Sequence, residues 1–299
     1  MIKFDVVVAN PPFQDSLNRK KTQHKLWITF TQKTFDEWLK PNGVLLQVSP
    51  SSFLSPSNKI LKIFQDKVVS FLNLDTKKYF PNIGSTFADY MIVNAQSDST
   101  ETKIGTDNGT FDKLIDQSSF YLPNDMCEES YSIHQKVIFD TKDKLDVRYD
   151  YVNCHNVLIH RTDVISKEKT DKHIYPIFHT NSQVWYSSIR QDWADEKKVM
   201  WSRSGYTKPF YDDGVYGGTD MAYYIVVPNE SSGNILADNL NLKLFKYILK
   251  TAKWSGFGNE KVFKALPNIL NCGRMTDSDL FSMFKLTRKE IDYVESYLG

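Results

Sequence analysis

The sequence predicts an α/β fold: part of a doubly wound sheet in the first third, followed by a mixed α+β region. Three observations carry this. Phe4–Ala9 (FDVVVA) is a short, β-branched, nearly continuous apolar run, as expected of a strand buried on both faces. Apolar residues at Trp27, Ile28, Phe30, Phe35, Trp38 and Leu39 follow at roughly helical spacing, and Pro41-Asn42-Gly43 stops them. Gly43–Val48 (GVLLQV) is then a second buried strand, and strand, helix, strand at these distances is a doubly wound signature.

The second strand ends in a loop at Ser49-Pro50-Ser51-Ser52. Asn58–Phe64 predicts a helix and Val68–Leu74 a third strand. Phe87–Asn94 (FADYMIVN) supplies a fourth after Phe80-Pro81-Asn82-Ile83-Gly84. The texture changes near residue 97, where Ser97–Thr102 is polar and loop-like, so a boundary is expected between 1–97 and 98–299. Beyond it come short strands and turns without βαβ rhythm, such as Val199–Ser202, Gly217-Gly218 and Tyr223–Val227. Leu240–Lys253 returns to helical spacing. Thr287–Tyr297 reads as a short amphipathic helix, opened by a Thr287/Glu290 capping box.

With 299 residues, the chain can build one large domain or two ordinary ones. Hydrophobic residues at 41% against 24% charged exclude a disordered chain. No apolar run approaches the roughly 20 residues that cross a bilayer. Asp5, inside the first apolar stretch, argues against a secretory signal. Cys127, Cys154 and Cys272 are far apart and lack ligand spacing, so they are expected as reduced, buried thiols in a cytoplasmic protein. His134, His155, His160, His173 and His179 also lack ligand spacing, and no metal is expected. Asp36-Glu37, Asp212-Asp213 and Glu128-Glu129 read as ordinary loop or helix-face acids, and no nuclease-like cluster stands out.

A net charge of +1 decides little, because only a local patch meets phosphates. Arg19, Lys20, Lys21 and Lys25 cluster early, while acids crowd around Glu128, Glu129, Asp140 and Asp143. A solvated loop is the plain reading of the basic cluster. Its place beside Asn10–Phe13 raises the DNA-backbone reading.

Asn10-Pro11-Pro12-Phe13 follows the first strand directly. Two consecutive prolines fix their φ angles and remove two N–H donors, so the carbonyls before them stand free as acceptors. The Asn10 side chain adds another. Acceptors at the carboxyl end of a parallel strand can bind a planar NH2 group and concentrate negative potential on its nitrogen. Phe13 can stack on the flat base that carries the amine. That end is also where ligands sit in open α/β sheets.

This turn resembles motif IV of the S-adenosylmethionine-dependent amino methyltransferases, and the chain is similar to adenine-specific DNA methyltransferases of type IIG-like and phage kinds. The resemblance implies a Rossmann-like methyltransferase sheet. It implies that Asn10 and the Pro11 carbonyl hold the 6-amino group of a flipped adenine while Phe13 stacks on it. Gly43–Leu54 resembles the strand and loop after motif IV, and Phe80–Val93 the segment carrying motif VIII. There an aromatic packs on the opposite face of the base, with Phe87 the first candidate and Phe80 the second. Val199–Gly218, Trp254–Ile269 and Thr276–Tyr297 resemble the target-recognition region and carboxyl terminus of these enzymes. The implied partner is double-stranded DNA and the implied cofactor S-adenosyl-L-methionine.

The family's Gly-rich cofactor loop lies upstream of motif IV, yet only nine residues precede Asn10. Gly214–Gly218 and Trp254–Gly258 do not follow a buried strand and open a helix, as a permuted loop requires. The expectation is therefore residues 1–97 as the carboxyl-terminal half of a catalytic domain and 98–299 as a target-recognition region. A partner chain or upstream segment would supply the cofactor half. Two other functions fit the residues: an RNA or protein amino-methyltransferase, and a non-catalytic DNA-binding specificity subunit or remnant.

Overall fold

The computed structural model describes residues 2–13, 26–56, 60–81, 86–97, 100–107, 109–115, 117–155, 159–160, 163–180, 183–203, 208–253 and 260–299. Two compact units divide the chain: Met1–Ser132 with Ala252–Gly258, and Ile133–Thr251 with Asn259–Gly299.

The first unit is built on one mixed sheet. Its strands are β1 (Phe4–Ala9), β2 (Leu39–Pro50), β3 (Lys67–Asn73), β4 (Phe87–Gln96), β5 (Thr102–Thr106) and β6 (Gly109–Lys113). Their order is β1-β2-β4-β3-β5-β6. β1–β2 and β3–β5 pair parallel, and the other neighbours pair antiparallel. One row of partners crosses the sheet: Ala9, Gln47, Tyr90, Leu72, Ile104. The register therefore brings the carboxyl ends of β1, β2 and β3 to one edge.

α1 (Leu26–Lys33), the π-helical turn Thr34–Trp38 and α2 (Ile60–Asp66) connect the early strands. Trp27 packs edge-on to Phe53, and Phe64 stacks on Phe53 and meets Tyr90. These rings cover the face that carries Leu45, Gln47, Tyr90, Ile92 and Leu72, all buried. The opposite face is more exposed. Val6 and Val8 on β1 are 52% and 78% exposed, and Leu46 on β2 is 39% exposed. Val44, Val48, Met91 and Val93 beside them are half-buried.

This corrects the expected burial of β1. An apolar run tells how well a strand suits a core, but not whether other elements arrive to form one. β1 is an edge strand, and α1 and α2 both pack on the other face. The sheet is also mixed rather than wholly parallel, because β4 inserts antiparallel between β2 and β3. Pro41-Asn42-Gly43 lies inside β2 rather than before it. Asn42 takes a φ of 61°, and a Cβ on Gly43 would stand 3.0 Å from the Lys40 carbonyl oxygen. The backbone bulges there, and the register moves from Phe4↔Leu39 to Val6↔Val44. The first unit extends past residue 97, because β5 pairs with β3 and carries β6 with it.

The second unit holds two small sheets. β7 (Ile165–Ser166), β8 (Tyr175–Phe178), β9 (Val184–Ser187) and β12 (Gly217–Gly218) form one, in order β12-β8-β9-β7. β10 (Lys197–Ser202), β11 (Phe210–Asp213) and β13 (Ala222–Val226) form the other, with β10 central. α3 (Glu128–His134) belongs to the first unit through Ser132 and to the second from Ile133, and α4 (Glu230–Leu240), α5 (Lys243–Thr251), α6 (Glu260–Phe263), α7 (Asp277–Met283) and α8 (Arg288–Leu298) of the second unit follow its strands. The capping box is present: Glu290 N donates to Thr287 Oγ1 at 3.3 Å, and Thr287 N to Glu290 Oε2 at 2.6 Å. Glu290 also accepts from Lys136 Nζ at 2.7 Å, tying α8 to the turn after α3.

Asp212 is not an ordinary loop acid. It is buried against Lys198 Nζ at 2.7 Å, and that ammonium also donates to the Ala194 and Glu196 carbonyls. Of the cysteines only Cys154 is buried; Cys127 is intermediate and Cys272 exposed. Among the described residues no helix is long and apolar enough to cross a membrane.

Candidate active site at the carboxyl edge of the first sheet

β1 ends at Ala9, opposite Gln47, and Asn10–Phe13 turns away from the edge of the sheet. Pro11 is buried and anchors the turn, while Asn10 and Pro12 are exposed. The Asn10 side chain makes no hydrogen bond to a described residue. Phe13 is half-buried, and its ring centre lies 5.2 Å from that of Phe87. Phe80 comes from the loop after β3 and lies 4.7 Å from Phe87 on the same measure. The structure thus brings together Asn10, Pro11, Pro12, Phe13, Phe80 and Phe87 from three segments.

The two later rings differ in burial. Phe87 is 4% exposed, whereas Phe80 is half-buried. Phe87 starts β4 opposite Pro50, and its carbonyl accepts from Thr76 Oγ1 at 2.7 Å. It is a floor to which Phe13 and Phe80 are attached. Of the two rings expected to face the base, Phe80 is thus the more exposed residue.

Beneath the turn runs a buried polar chain. Gln47 Nε2 donates to Tyr90 OH at 2.7 Å and to Thr31 Oγ1 at 2.8 Å, crossing from β2 to β4 and to α1. Burial pushes the Tyr90 phenol up to about 12, so it stays protonated at neutral pH. This chain fixes the strand ends on which the turn rests.

Two features escaped the sequence reading. Lys77–Tyr79 forms a 3-10 turn immediately before Phe80, with Tyr79 65% exposed. The only signal was a Lys-Lys-Tyr run ahead of Phe80. In the second unit, a groove of about 890 Å³ is lined by Phe178, Phe210, Tyr211, Tyr216, Lys208 and Arg274 among others. Its residues are scattered in sequence and become neighbours only on folding. Arg19, Lys20, Lys21, Lys25 and Trp254–Gly258 lie outside the described residues. No cluster of three metal-ligating side chains occurs among the described residues.

Three solved structures illustrate the structural comparison. The type IIL restriction-modification enzyme MmeI in complex with DNA aligns with a TM-score of 0.46 and 11% identity, over 98% of this chain and 55% of that one. The DrdV–DNA complex aligns with a TM-score of 0.43 and 10% identity, over 93% and 43%. The type IIG restriction endonuclease BpuSI aligns with a TM-score of 0.33 and 12% identity, over 95% and 49%. The chain thus spans about half the length of the solved structures it matches. No curated protein matches the sequence. By sequence, residues 1–85, which hold the Asn10–Phe13 turn and Phe80, match the family of Eco57I restriction-modification methylases.

Proposed function

We propose that this chain carries the acceptor-base site and the target-recognition region of an adenine-specific DNA methyltransferase. The carrying observation is the Asn10–Phe13 turn at the carboxyl edge of the sheet, with Phe13 and Phe80 brought together on Phe87. The matching family over residues 1–85 supports methyl transfer. In this reading the Asn10 amide oxygen and the Pro11 carbonyl accept the two hydrogens of the 6-amino group of a flipped adenine. That arrangement raises electron density on the attacking nitrogen. Pro12 keeps the Pro11 carbonyl extended and free. Phe13 stacks on one face of the base and Phe80 meets the other. No covalent intermediate is needed, and none of the three cysteines belongs to the described site. The second unit, Ile133–Thr251 with Asn259–Gly299, is assigned to reading the target duplex, on a scale suited to DNA modules.

S-adenosyl-L-methionine would supply the methyl group. Among the described residues no Gly-rich turn opens a helix beside the motif strand. Among the described residues β1 has no strand partner on its outer side, and beside it Val6, Val8 and Leu46 stand exposed. An apolar strand of this kind needs a neighbour and a cover. A polypeptide bearing a parallel strand and a helix supplies both, and we assign the cofactor loop to it. The open edge equally suits a second reading, a DNA-binding specificity subunit without catalysis.

The experiment is co-expression with the polypeptides encoded beside this chain, followed by methyl transfer to duplex DNA, RNA and peptide panels. Adenine-containing duplex should be the acceptor, and Asn10→Ala should abolish transfer while leaving DNA binding nearly intact. Full transfer by Asn10→Ala removes the turn from the mechanism. Transfer to RNA or peptide alone replaces the acceptor class, and DNA binding with no cofactor binding in any combination selects the second reading.

A further inference from the structure

We propose that the turn Lys77–Tyr79 is a DNA-contacting element: the Tyr79 ring lies against the duplex beside the extruded base, and Lys77 and Lys78 take the adjoining phosphates. This rests on the base-flipping reading of the Phe13, Phe80 and Phe87 cluster.

The first argument is position. β3 ends at Asn73, opposite Asp89, which in turn stands opposite Val48 on β2. That row is one step beyond Ala9 and Gln47, at the level where the Asn10 turn leaves the sheet. The loop after β3 therefore emerges at the same edge as the motif. Phe80 closes it with its ring 4.7 Å from Phe87, and Tyr79 is the residue immediately before.

The second argument is rigidity. Tyr79 N donates to the Thr76 carbonyl at 2.9 Å, and Phe80 N to the Lys77 carbonyl at 3.1 Å. Thr76 is itself buried and donates to the Phe87 carbonyl. Leu74 N donates to the Gly105 carbonyl at 2.8 Å, and Asn73 Nδ2 to Asp89 at 2.7 Å. The backbone is thus held to both β4 and β5, yet the turn presents Tyr79 outward with 65% of its surface exposed. A ring held out in water on a fixed turn, next to inward-facing Phe80, is suited to an external partner rather than to the core.

Charge selects the partner. Lys77 and Lys78 flank the ring, and the Lys78 ammonium lies 5.2 Å from its centre. Lys78 also meets Asp75 at 2.6 Å, but this pair is exposed and a phosphate can replace the carboxylate. Ring and ammonium together match a nucleotide: a π-face for an unstacked base or sugar, and a cation for its phosphate. A protein with an acidic surface is the competing occupant, and the experiment separates the two.

The test uses the full chain with a duplex pool in which thymine is replaced by 5-iodouracil, photocrosslinked and mapped by mass spectrometry. The expected crosslink falls on the peptide containing Tyr79 and disappears in Tyr79→Leu. Tyr79→Leu should weaken duplex binding about tenfold, with Tyr79→Phe close to wild type. Replacing both lysines by glutamine should flatten the log–log salt dependence by about one to two units. The side chains are at the surface, so unchanged thermal melting serves as the folding control. DNA that is bound but crosslinks only to other peptides, with an unchanged salt slope, overturns the proposal and leaves the methyltransferase reading standing. A chain that binds no duplex, alone or in its completed assembly, overturns both.

Discussion

Phe13 and Phe87 lie 5.2 Å apart, ring centre to ring centre, with planes inclined by 36°. One ring ends the motif turn and the other opens β4, so their contact depends on the pairing of β1 with β2 and of β2 with β4. Phe80 approaches Phe87 in a second tilted contact. The cluster is a small satellite core with two rings that a flat base can engage.

Phe13→Ala and Phe80→Ala should each weaken binding of a flipped or mismatched adenine by about 1–3 kcal/mol. Phe13→Tyr should retain much of the binding, because the ring face is what matters. Phe87→Ala should act differently: its ring is buried, so the chain loses about 3–5 kcal/mol of stability. Titrations with 2-aminopurine duplexes and urea unfolding separate these effects. Equal destabilisation by Phe80→Ala would return Phe80 to the core.

The chain alone should bind S-adenosylmethionine at best in the millimolar range, roughly 4 kcal/mol. Completing the sheet along β1 should restore cofactor binding and methylation together. Val8→Lys, at a side chain 78% exposed, should leave the stability of the isolated chain within about 0.5 kcal/mol and block that restoration. Calorimetry on the chain and on the assembly checks both, and micromolar binding by the chain alone counts against a missing half.

His134 is fully buried, and burial lowers its pKa from 6.5 to about 3; its Nε2 meets Thr251 Oγ1 at 2.7 Å. The unfolded chain takes up a proton near pH 6.5, while the folded chain resists it until about pH 3. The unfolded state therefore binds more protons between these values, and stability falls as pH drops through that window. The loss should be on the order of 2 kcal/mol by pH 5. Urea unfolding at pH 7 and pH 5 should show it in the wild type and show a smaller loss in His134→Gln.

The Lys198–Asp212 pair is buried on both sides, with 0% and 2% of the side chains exposed. Breaking it with Asp212→Asn or Lys198→Met should cost about 3–5 kcal/mol, because one buried charge loses its partner. The double variant Lys198→Met/Asp212→Leu should be less destabilised than either single one. A double-mutant cycle by chemical unfolding gives the coupling, and additive losses would mean that the two charges act independently.

What was legible in the sequence was local. β1 falls on Phe4–Ala9 as its apolar run predicts, and the Thr287/Glu290 box caps α8, because both depend on residues within one turn or one strand. The Asn10–Phe13 turn was legible for the same reason: two adjacent prolines dictate their own backbone. Tertiary structure decided the rest. Whether Val6 and Val8 are covered depends on which face α1 and α2 choose, and an apolar run carries no record of that choice. The antiparallel insertion of β4 decides that Phe87 becomes the floor and Phe80 the more accessible ring. Asp212 looked like a loop acid until β10 and β11 paired Lys198 with it, since a buried charge is recognised only by the partner that folding brings.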